Sequence, residues 1–223
     1  MLKDRTDAGR RLAQKLAAYA DEAPVVVTLP RGGVPVGYEV ARALEAPLDI
    51  IVVRKIGAPG QRELGIGALV DGDHPETVLN EELLRLIDVS REYLDREIKL
   101  ELKEIRRRET VYRKGHPAIA LGGRTVLVVD DGIATGGSIR AALRGIRRRG
   151  ARKIVLAVPI AAAETLQSLR AETDEIVCLE SPESFGAIGE FYRDFSQTSD
   201  DEVIALLDRA RAHMSEAEPA ARR

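Results

Sequence analysis

VLVVDDGIATGGS, residues 126–138, decides how this chain is read. Its first four residues form a short, continuous, largely β-branched run, the pattern of a parallel strand buried on both faces. Asp130 and Asp131 follow at the carboxyl end of that strand. In open α/β sheets this edge is where loops surround a crevice and ligands bind. Thr135, Gly136, Gly137 and Ser138 then lead into a helix expected from about Ile139. Two glycines let the backbone turn tightly and aim successive N–H groups at an anion, and the helix N-terminus adds unsatisfied donors and a positive dipole end. Such a cradle suits a monophosphate. Carboxylates repel phosphate, so the aspartates, several residues upstream, suit the other end of a pentose. There they can accept hydrogen bonds from vicinal hydroxyls and hold a hydrated Mg²⁺. The residues imply a ribose 5-phosphate site with a metal-chelated group; the plain alternative is a strand–turn–helix that happens to contain Asp, Gly and Ser.

Working outward, strands and helices alternate as in a wound parallel sheet, giving an expected three-layer α/β/α fold with a mainly parallel central sheet. An amphipathic helix is expected over residues 6–19, with Leu12, Leu16 and Tyr19 on one face. Strands are expected at residues 25–29, 49–54, 153–160 and 175–179. Helices are expected from the turn Pro30-Arg31-Gly32-Gly33 through Glu45, and at residues 139–149 and 162–171. The end of the chain, residues 214–223, reads as a frayed tail. One domain is expected over residues 1–223, since α/β proteins of this length often form a single core.

Residues 57–123 form an insertion too long for an ordinary connection, which marks it for use beyond chain closure. Gly57-Ala58-Pro59-Gly60-Gln61-Arg62 reads as a mobile loop by composition. Residues 64–70 and 77–79 can pair as a hairpin across Asp71-Gly72-Asp73. Asn80 caps a helix whose first turn carries Glu81 and Glu82, and Ser90 caps a longer one toward Arg113. Leu94, Ile98, Leu102 and Ile105 recur at helical spacing, a stripe expected to pack on the body of the protein rather than on another subunit. Self-association into a homo-oligomer stays open.

Composition excludes several classes. With 44% hydrophobic and 31% charged residues and a net charge of −2, the chain has no global attraction to nucleic acid or acidic membranes. The single cysteine, Cys178, rules out an internal disulfide framework and sits in an apolar run as a packed small residue. No apolar stretch is long enough to span a bilayer and the charged start lacks a signal-peptide core, so a cytoplasmic location is the expectation. His74, His116 and His213 do not combine with Cys or acids at metal-ligand spacing. Two basic runs, Arg106-Arg107-Arg108 with Arg113-Lys114, and residues 140–153 with seven cations and no acid, are solvated helix faces or a local RNA-binding patch.

The hydrophobic run, Asp130-Asp131 and Ala134-Thr135-Gly136-Gly137-Ser138 together resemble the 5-phosphoribosyl-1-pyrophosphate (PRPP) signature of the type I phosphoribosyltransferases. The resemblance implies that residues 134–138 hold the 5-phosphate and that Asp130 and Asp131 bind the ribose and, through water, Mg²⁺. Leu29-Pro30-Arg31-Gly32-Gly33 resembles the pyrophosphate loop of that family, with Arg31 as its cation, and Arg54-Lys55 resembles a basic pair that reaches pyrophosphate in several branches. The family also carries a flexible loop after its second strand, where residues 57–62 stand, and a variable hood over the second substrate, for which the insertion and residues 181–197 are candidates. Phe185, Phe191 and Tyr192 are the aromatic candidates for stacking on a flat acceptor; core packing is the competing role. Ala134 departs from the acid of the hypoxanthine-guanine branch and is similar to the adenine and uracil branches. Glu63-Leu64-Gly65-Ile66-Gly67-Ala68 and Phe191-Tyr192-Arg193-Asp194-Phe195 are more similar to bacterial phosphoribosyltransferases whose acceptor is not established.

The implied reaction is attack by an acceptor nitrogen, of a nucleobase or related heterocycle, on the anomeric carbon while Mg-pyrophosphate departs. Asp130 and Asp131 would favour positive charge developing on the ribose, and Arg31, Lys55 and Mg²⁺ would offset charge on pyrophosphate. Glu63 is a candidate base if its loop closes, with an exposed loop acid as the plainer role. The small-molecule partners are then PRPP and an unidentified acceptor, with no membrane and no nucleic acid expected. The rival is a PRPP-sensing regulator on the same fold that binds RNA or a protein; a PRPP synthase is disfavoured because the chain has no P-loop pattern.

Overall fold

The computed structural model describes residues 1–72 and 75–217. Helix α1 (Arg5–Leu16) starts at Asp4, whose side chain accepts from the Asp7 N–H, and runs into a 3-10 turn at Ala17–Glu22. Then come β1 (Val25–Thr28), α2 (Gly33–Ala43), β2 (Leu48–Ile50), β3 (Val53–Ala58), β4 (Gln61–Val70), β5 (Glu76–Leu79), α3 (Glu81–Leu86) and α4 (Arg91–Arg113). The signature strand β6 (Thr125–Val129) is followed by α5 (Gly137–Arg148), β7 (Lys153–Ile160), α6 (Ala163–Leu169), β8 (Glu175–Glu180), a 3-10 turn at Ile188–Phe191 and α7 (Asp200–Ala217).

Five strands form a wholly parallel sheet in the order β2-β1-β6-β7-β8. The alternation of side chains across it separates two cores. Val26, Leu127, Val129, Val155 and Ala157 pack with Leu12 and Leu16 of α1, Val36 and Val40 of α2 and Val203 and Leu207 of α7. Val25, Val27, Val126, Val128, Leu156 and Val158 pack with Ile139, Ala142, Leu143 and Ile146 of α5 and Leu169 of α6. The three-layer architecture expected from the sequence follows. Every residue of β1 and β6 is buried, and each branched aliphatic side chain so placed contributes roughly 1.5–3 kcal/mol. That burial fixes the ends of both strands, from which the candidate site projects. The strand order reverses between β1, which leads to β2 through α2 on one face, and β6, which leads to β7 through α5 on the other. A crevice is expected at that switch point.

The insertion is a second, antiparallel sheet, β3-β4-β5. Its faces are covered: Ile56, Ala58, Ile66 and Leu69 join the core that holds Ile105 and Tyr112 of α4, while Ala68 and Val70 join the core around α5. The expected strand at residues 49–54 is therefore two strands. β2 ends at Ile50, and Val53 already belongs to the second sheet, because Asp71 N–H donates to the Val52 carbonyl and draws the chain away. Residues 57–62, read as a mobile loop, instead close a hairpin: Ala58 pairs with Gln61 across Pro59-Gly60, with Gly60 at φ +72°. The β4–β5 hairpin stands as expected, with Asp73 and His74 outside the described residues. Asn80 and Ser90 cap α3 and α4 by accepting from the Leu83 and Tyr93 N–H groups. Leu94, Ile98 and Leu102 pack on the core with fully buried Ile105, in line with the expected stripe.

A buried charge cluster locks the insertion to the parallel sheet. Arg113, 7% exposed, reaches Asp49 at 3.1 Å, Asp71 at 3.3 Å, Glu109 at 2.8 Å and the Ile50 carbonyl at 2.9 Å. Asp71 also takes Arg149 from the end of α5. Helix α7 has no counterpart among the sequence expectations, and it corrects the tail: residues 214–217, expected to fray, are its last turn, while residues 218–223 lie outside the described residues. Cys178 is half-buried and burial pushes its thiol up, which fits a packing role. No helix among the described residues is long and apolar enough to cross a membrane.

Candidate active site

The loops that follow β1 and β6 meet across the switch point with no space between them. A Cβ on Gly32 would lie 2.1 Å from Oδ2 of Asp131, and one on Gly33 would lie 2.9 Å from Oδ1 of Asp130. The two glycines of the expected pyrophosphate loop are thus required by the two aspartates. The loop itself is tight: Gly33 N–H donates to the Leu29 carbonyl and Val34 N–H to the Arg31 carbonyl, and the Pro30–Arg31 peptide is cis.

Asp130 and Asp131 sit side by side, with the Asp131 N–H donating to Asp130 Oδ1 at 2.9 Å. Burial, and then the charge of Asp131, lift the Asp130 carboxyl well above the usual carboxylate range. Burial also raises Asp131, opposed by Arg5, whose Nε donates to Asp131 Oδ2 at 2.7 Å. Two crowded, desolvated carboxylates gain from a cation or from hydroxyl donors between them. Among the described residues no group of three or more His, Cys, Asp or Glu could enclose a metal. Two carboxylates without a protein cage fit Mg²⁺, which keeps several waters and completes its shell with substrate phosphates.

Beyond the aspartates, Ile133 bridges to Ala161 after β7, its N–H donating to the Ile160 carbonyl at 2.9 Å. The bridge holds the start of the cradle, and Thr165 Oγ1 on α6 secures the Ala134 carbonyl at 2.6 Å. Gly136 takes φ +74°, as the tight turn requires, and begins α5 with no side-chain cap. Donors of the first turn are left for an anion. Thr135, Gly137 and Ser138 line a cleft of about 880 Å³ that also holds Lys55, Arg140 and Arg144 and is walled by β4 and β5. Lys55 and the cradle, remote in sequence, share one cavity.

The remaining expected residues are distributed differently. Arg54, next to Lys55, lies on the opposite face of β3 and donates through Nε to Glu101 of α4 at 2.6 Å, so the basic pair does not act together here. Arg31 turns to Asp200 at the start of α7, at 3.6 Å, and Asp200 also accepts from Tyr112 at 2.7 Å. Phe185 and Phe191 stack on each other with centroids 5.4 Å apart, half-buried. Tyr192 is a correction: it is 5% exposed, its ring lies 5.0 Å from Phe195, and its hydroxyl donates to the Asp131 carbonyl at 2.6 Å. It supports the aspartate loop and presents no stacking face. The side chain of Glu63 lies outside the described residues.

Three contributors escaped the sequence reading. Arg5, Asp200 and Tyr112 reach the site from α1, α7 and α4, and no motif or spacing around them marks that contact.

A crevice with paired carboxylates at the switch point of a parallel sheet ordered β2-β1-β6-β7-β8 defines a class, and the sequence agrees: residues 1–196 match the phosphoribosyl transferase domain, and the chain belongs to that family. Among its relatives is a Mycobacterium tuberculosis protein (strain H37Rv) named provisionally as a phosphoribosyl transferase, 48% identical over 217 residues, which cover 97% of this chain and 48% of the relative. The counterpart from strain CDC 1551 matches equally. This chain therefore spans about half the length of the curated relatives it matches. The crystal structure of TT1426 from Thermus thermophilus is 44% identical and superposes with a TM-score of 0.80, covering 92% of this chain and 97% of that one.

Proposed function

We propose that this chain transfers the 5-phosphoribosyl group of PRPP to a nitrogen acceptor, a nucleobase or related heterocycle, with release of Mg-pyrophosphate. The observation that carries the reading is the shared cleft of Lys55 with Thr135, Gly137 and Ser138, taken with the contact of Gly32 and Gly33 with Asp131 and Asp130. It supports a donor bound by its 5-phosphate at residues 134–138, by its ribose at Asp130 and Asp131, and by its pyrophosphate between Gly32, Gly33 and Lys55. Arg31 and Arg54 would reach pyrophosphate only by leaving Asp200 and Glu101. Asp130 and Asp131 would hold Mg²⁺ through water, and the ion would supply positive charge to offset that on pyrophosphate. In their ionised form Asp130 and Asp131 stabilise positive charge developing on the ribose. Phe185 and Phe191 are the remaining aromatic candidates for the acceptor side.

The regulator reading draws less support. All seven cations of residues 140–153 already have protein partners: Arg140 and Arg144 meet Glu172, Arg147 meets Asp174, Arg148 meets Glu76, Arg149 meets Asp71, and Arg152 and Lys153 meet Glu22. Cations already engaged with protein carboxylates offer RNA less counterion release than free ones.

The deciding experiment measures pyrophosphate release from PRPP with Mg²⁺ and a pool of nucleobases and small amines, with the Asp130→Asn/Asp131→Asn double variant as control. Acceptor-dependent release lost in the variant supports the proposal. Undiminished release in the variant would place the chemistry elsewhere, and PRPP binding without release for any acceptor would favour a sensor.

A further inference from the structure

We infer that Arg5 is a positioning residue that joins the ribose carboxylate Asp131 to the hood, so that ribose binding and the order of residues 191–196 are set by one side chain. The inference rests on the phosphoribosyl reading of Asp131 and adds a residue that the signature does not contain. Arg5 occupies the first turn of α1, and the carboxylate it meets is 126 positions away. Both side chains are 12% exposed, so the pair is shielded from solvent.

The guanidinium makes three different contacts. Its Nε donates to Asp131 Oδ2 at 2.7 Å, one terminal nitrogen donates to the Ser196 carbonyl at 2.6 Å, and its Cζ lies over the Phe195 ring, 4.0 Å from the centre. A planar, forked cation serves all three at once, while a lysine ammonium could keep the charge against Asp131. The residues around it bind the same two parts together. Leu2 N–H donates to the Phe191 carbonyl, Arg193 N–H to the Leu2 carbonyl and Asp194 N–H to the Lys3 carbonyl, so the start of the chain is tied to the hood segment through a parallel bridge between Leu2 and Tyr192. Tyr192 grips the Asp131 carbonyl from the same segment. Asp131 is thus held at its backbone by the segment that carries Phe191 and at its carboxylate by Arg5, which is itself tied to that segment. Oδ2 is the oxygen pressed against Gly32, and with Arg5 on it the other carboxylate oxygen is left for a ribose hydroxyl.

Calorimetry of the full chain with Mg²⁺ and PRPP, and separately with Mg²⁺ and inorganic pyrophosphate, tests this on Arg5→Gln and Arg5→Lys. Arg5→Gln should bind PRPP at least about tenfold more weakly while pyrophosphate changes by less than about twofold, and Arg5→Lys should return PRPP to within about threefold of wild type. Equal weakening of both ligands in Arg5→Gln would show general loosening and overturn the inference, as would unchanged PRPP binding. Hydrogen exchange on the unmodified protein gives a second measurement that does not depend on a variant folding: PRPP should slow the amides of residues 193–196, and unaltered exchange there overturns the coupling. Failure of the wild type itself to bind PRPP would reject the phosphoribosyl reading, and this inference with it; a wild type that binds PRPP beside an Arg5→Gln variant that binds it equally well rejects the role of Arg5 alone.

Discussion

Replacing Gly32 by Ala isolates the contact on which the candidate site turns. Gly32 has φ −59° and ψ −35°, a conformation any residue adopts, so the new methyl group brings no backbone strain and acts by volume alone. That methyl carbon would stand 2.1 Å from Asp131 Oδ2 and 2.7 Å from its Cγ. To restore ordinary contact the carboxylate or the loop must retreat by roughly 1 Å, enough to break a hydrogen bond whose useful range is only a few tenths of an ångström wide. Asp131 would then lose its ribose hydroxyl, its Arg5 partner, or both. A hydrogen bond to a charged group contributes about 1.5–3 kcal/mol, so PRPP affinity should fall about 10- to 100-fold. Misplacement on this scale costs about 100-fold in rate once an acceptor is in hand. Calorimetric titration with Mg²⁺ and PRPP reads the first effect, and thermal unfolding checks that the fold persists. PRPP affinity within about threefold of wild type in a folded Gly32→Ala protein would refute the reasoning, because it would mean that the close packing of the two loops has no bearing on the donor.

The buried cluster predicts a stability effect of a different size. Arg113→Met leaves Asp49 and Asp71 without their shared cation, and removing one partner of such a buried pair costs about 3–5 kcal/mol, or roughly 6–20 °C in Tm for a chain of this length; a loss under about 1 kcal/mol would show that the cluster does not lock the insertion. Tyr112 is pushed up to about 12 by burial and then by its hydrogen bond to Asp200. Its neutral form is favoured in the fold, so that contribution is complete below pH 10 and is lost as pH rises toward 12. Denaturant titrations at pH 9 and 11.5 should show a smaller alkaline loss for Tyr112→Phe than for wild type, and equal losses would assign the effect to other groups. Filter retention on single-stranded RNA at 0.15 M salt should be negligible, and strong retention with a steep salt dependence would restore the regulator reading.

The parts of the site legible in the sequence are those whose constraints are local. A strand buried on both faces must be continuously apolar, and a phosphate turn needs glycine beside a helix start, so residues 126–138 carry their meaning within one short segment. Gly32 and Gly33 were legible as a turn; that they are required by Asp131 and Asp130 became visible only when β1 and β6 proved to be neighbours. The misreadings arose where local composition and tertiary context disagree. Residues 49–54 look like one strand because the apolar run is unbroken, yet the Val52 carbonyl bonds to Asp71 and moves the rest to another sheet. Arg54 and Lys55 look like a pair in sequence, but a strand sends adjacent side chains to opposite faces, and only Lys55 reaches the cleft. Helix α7 was recoverable: Ser199 accepts from the Glu202 N–H, acids fill the first turn, and Val203, Leu207 and Ala210 have helical spacing.

Arg5 was not recoverable in this way, and the reason is physical. A cation on the first turn of a surface helix is an ordinary solvated residue until the fold places a buried carboxylate opposite it, and nothing within several residues of Arg5 depends on that carboxylate. The same holds for Asp200 and Tyr112 around Arg31. In this chain the groups proposed to touch substrate lie on the loops of β1 and β6, in β3 and at the start of α5, where sequence pattern and chemistry coincide. Three of the groups that hold them, Arg5, Tyr112 and Asp200, come from α1, α4 and α7, on one face of the parallel sheet. Substitutions on that face should therefore alter how firmly the donor is seated while leaving every residue of the PRPP signature in place. A change in PRPP affinity caused by Arg5, with pyrophosphate affinity unmoved, would be the direct measure of that division.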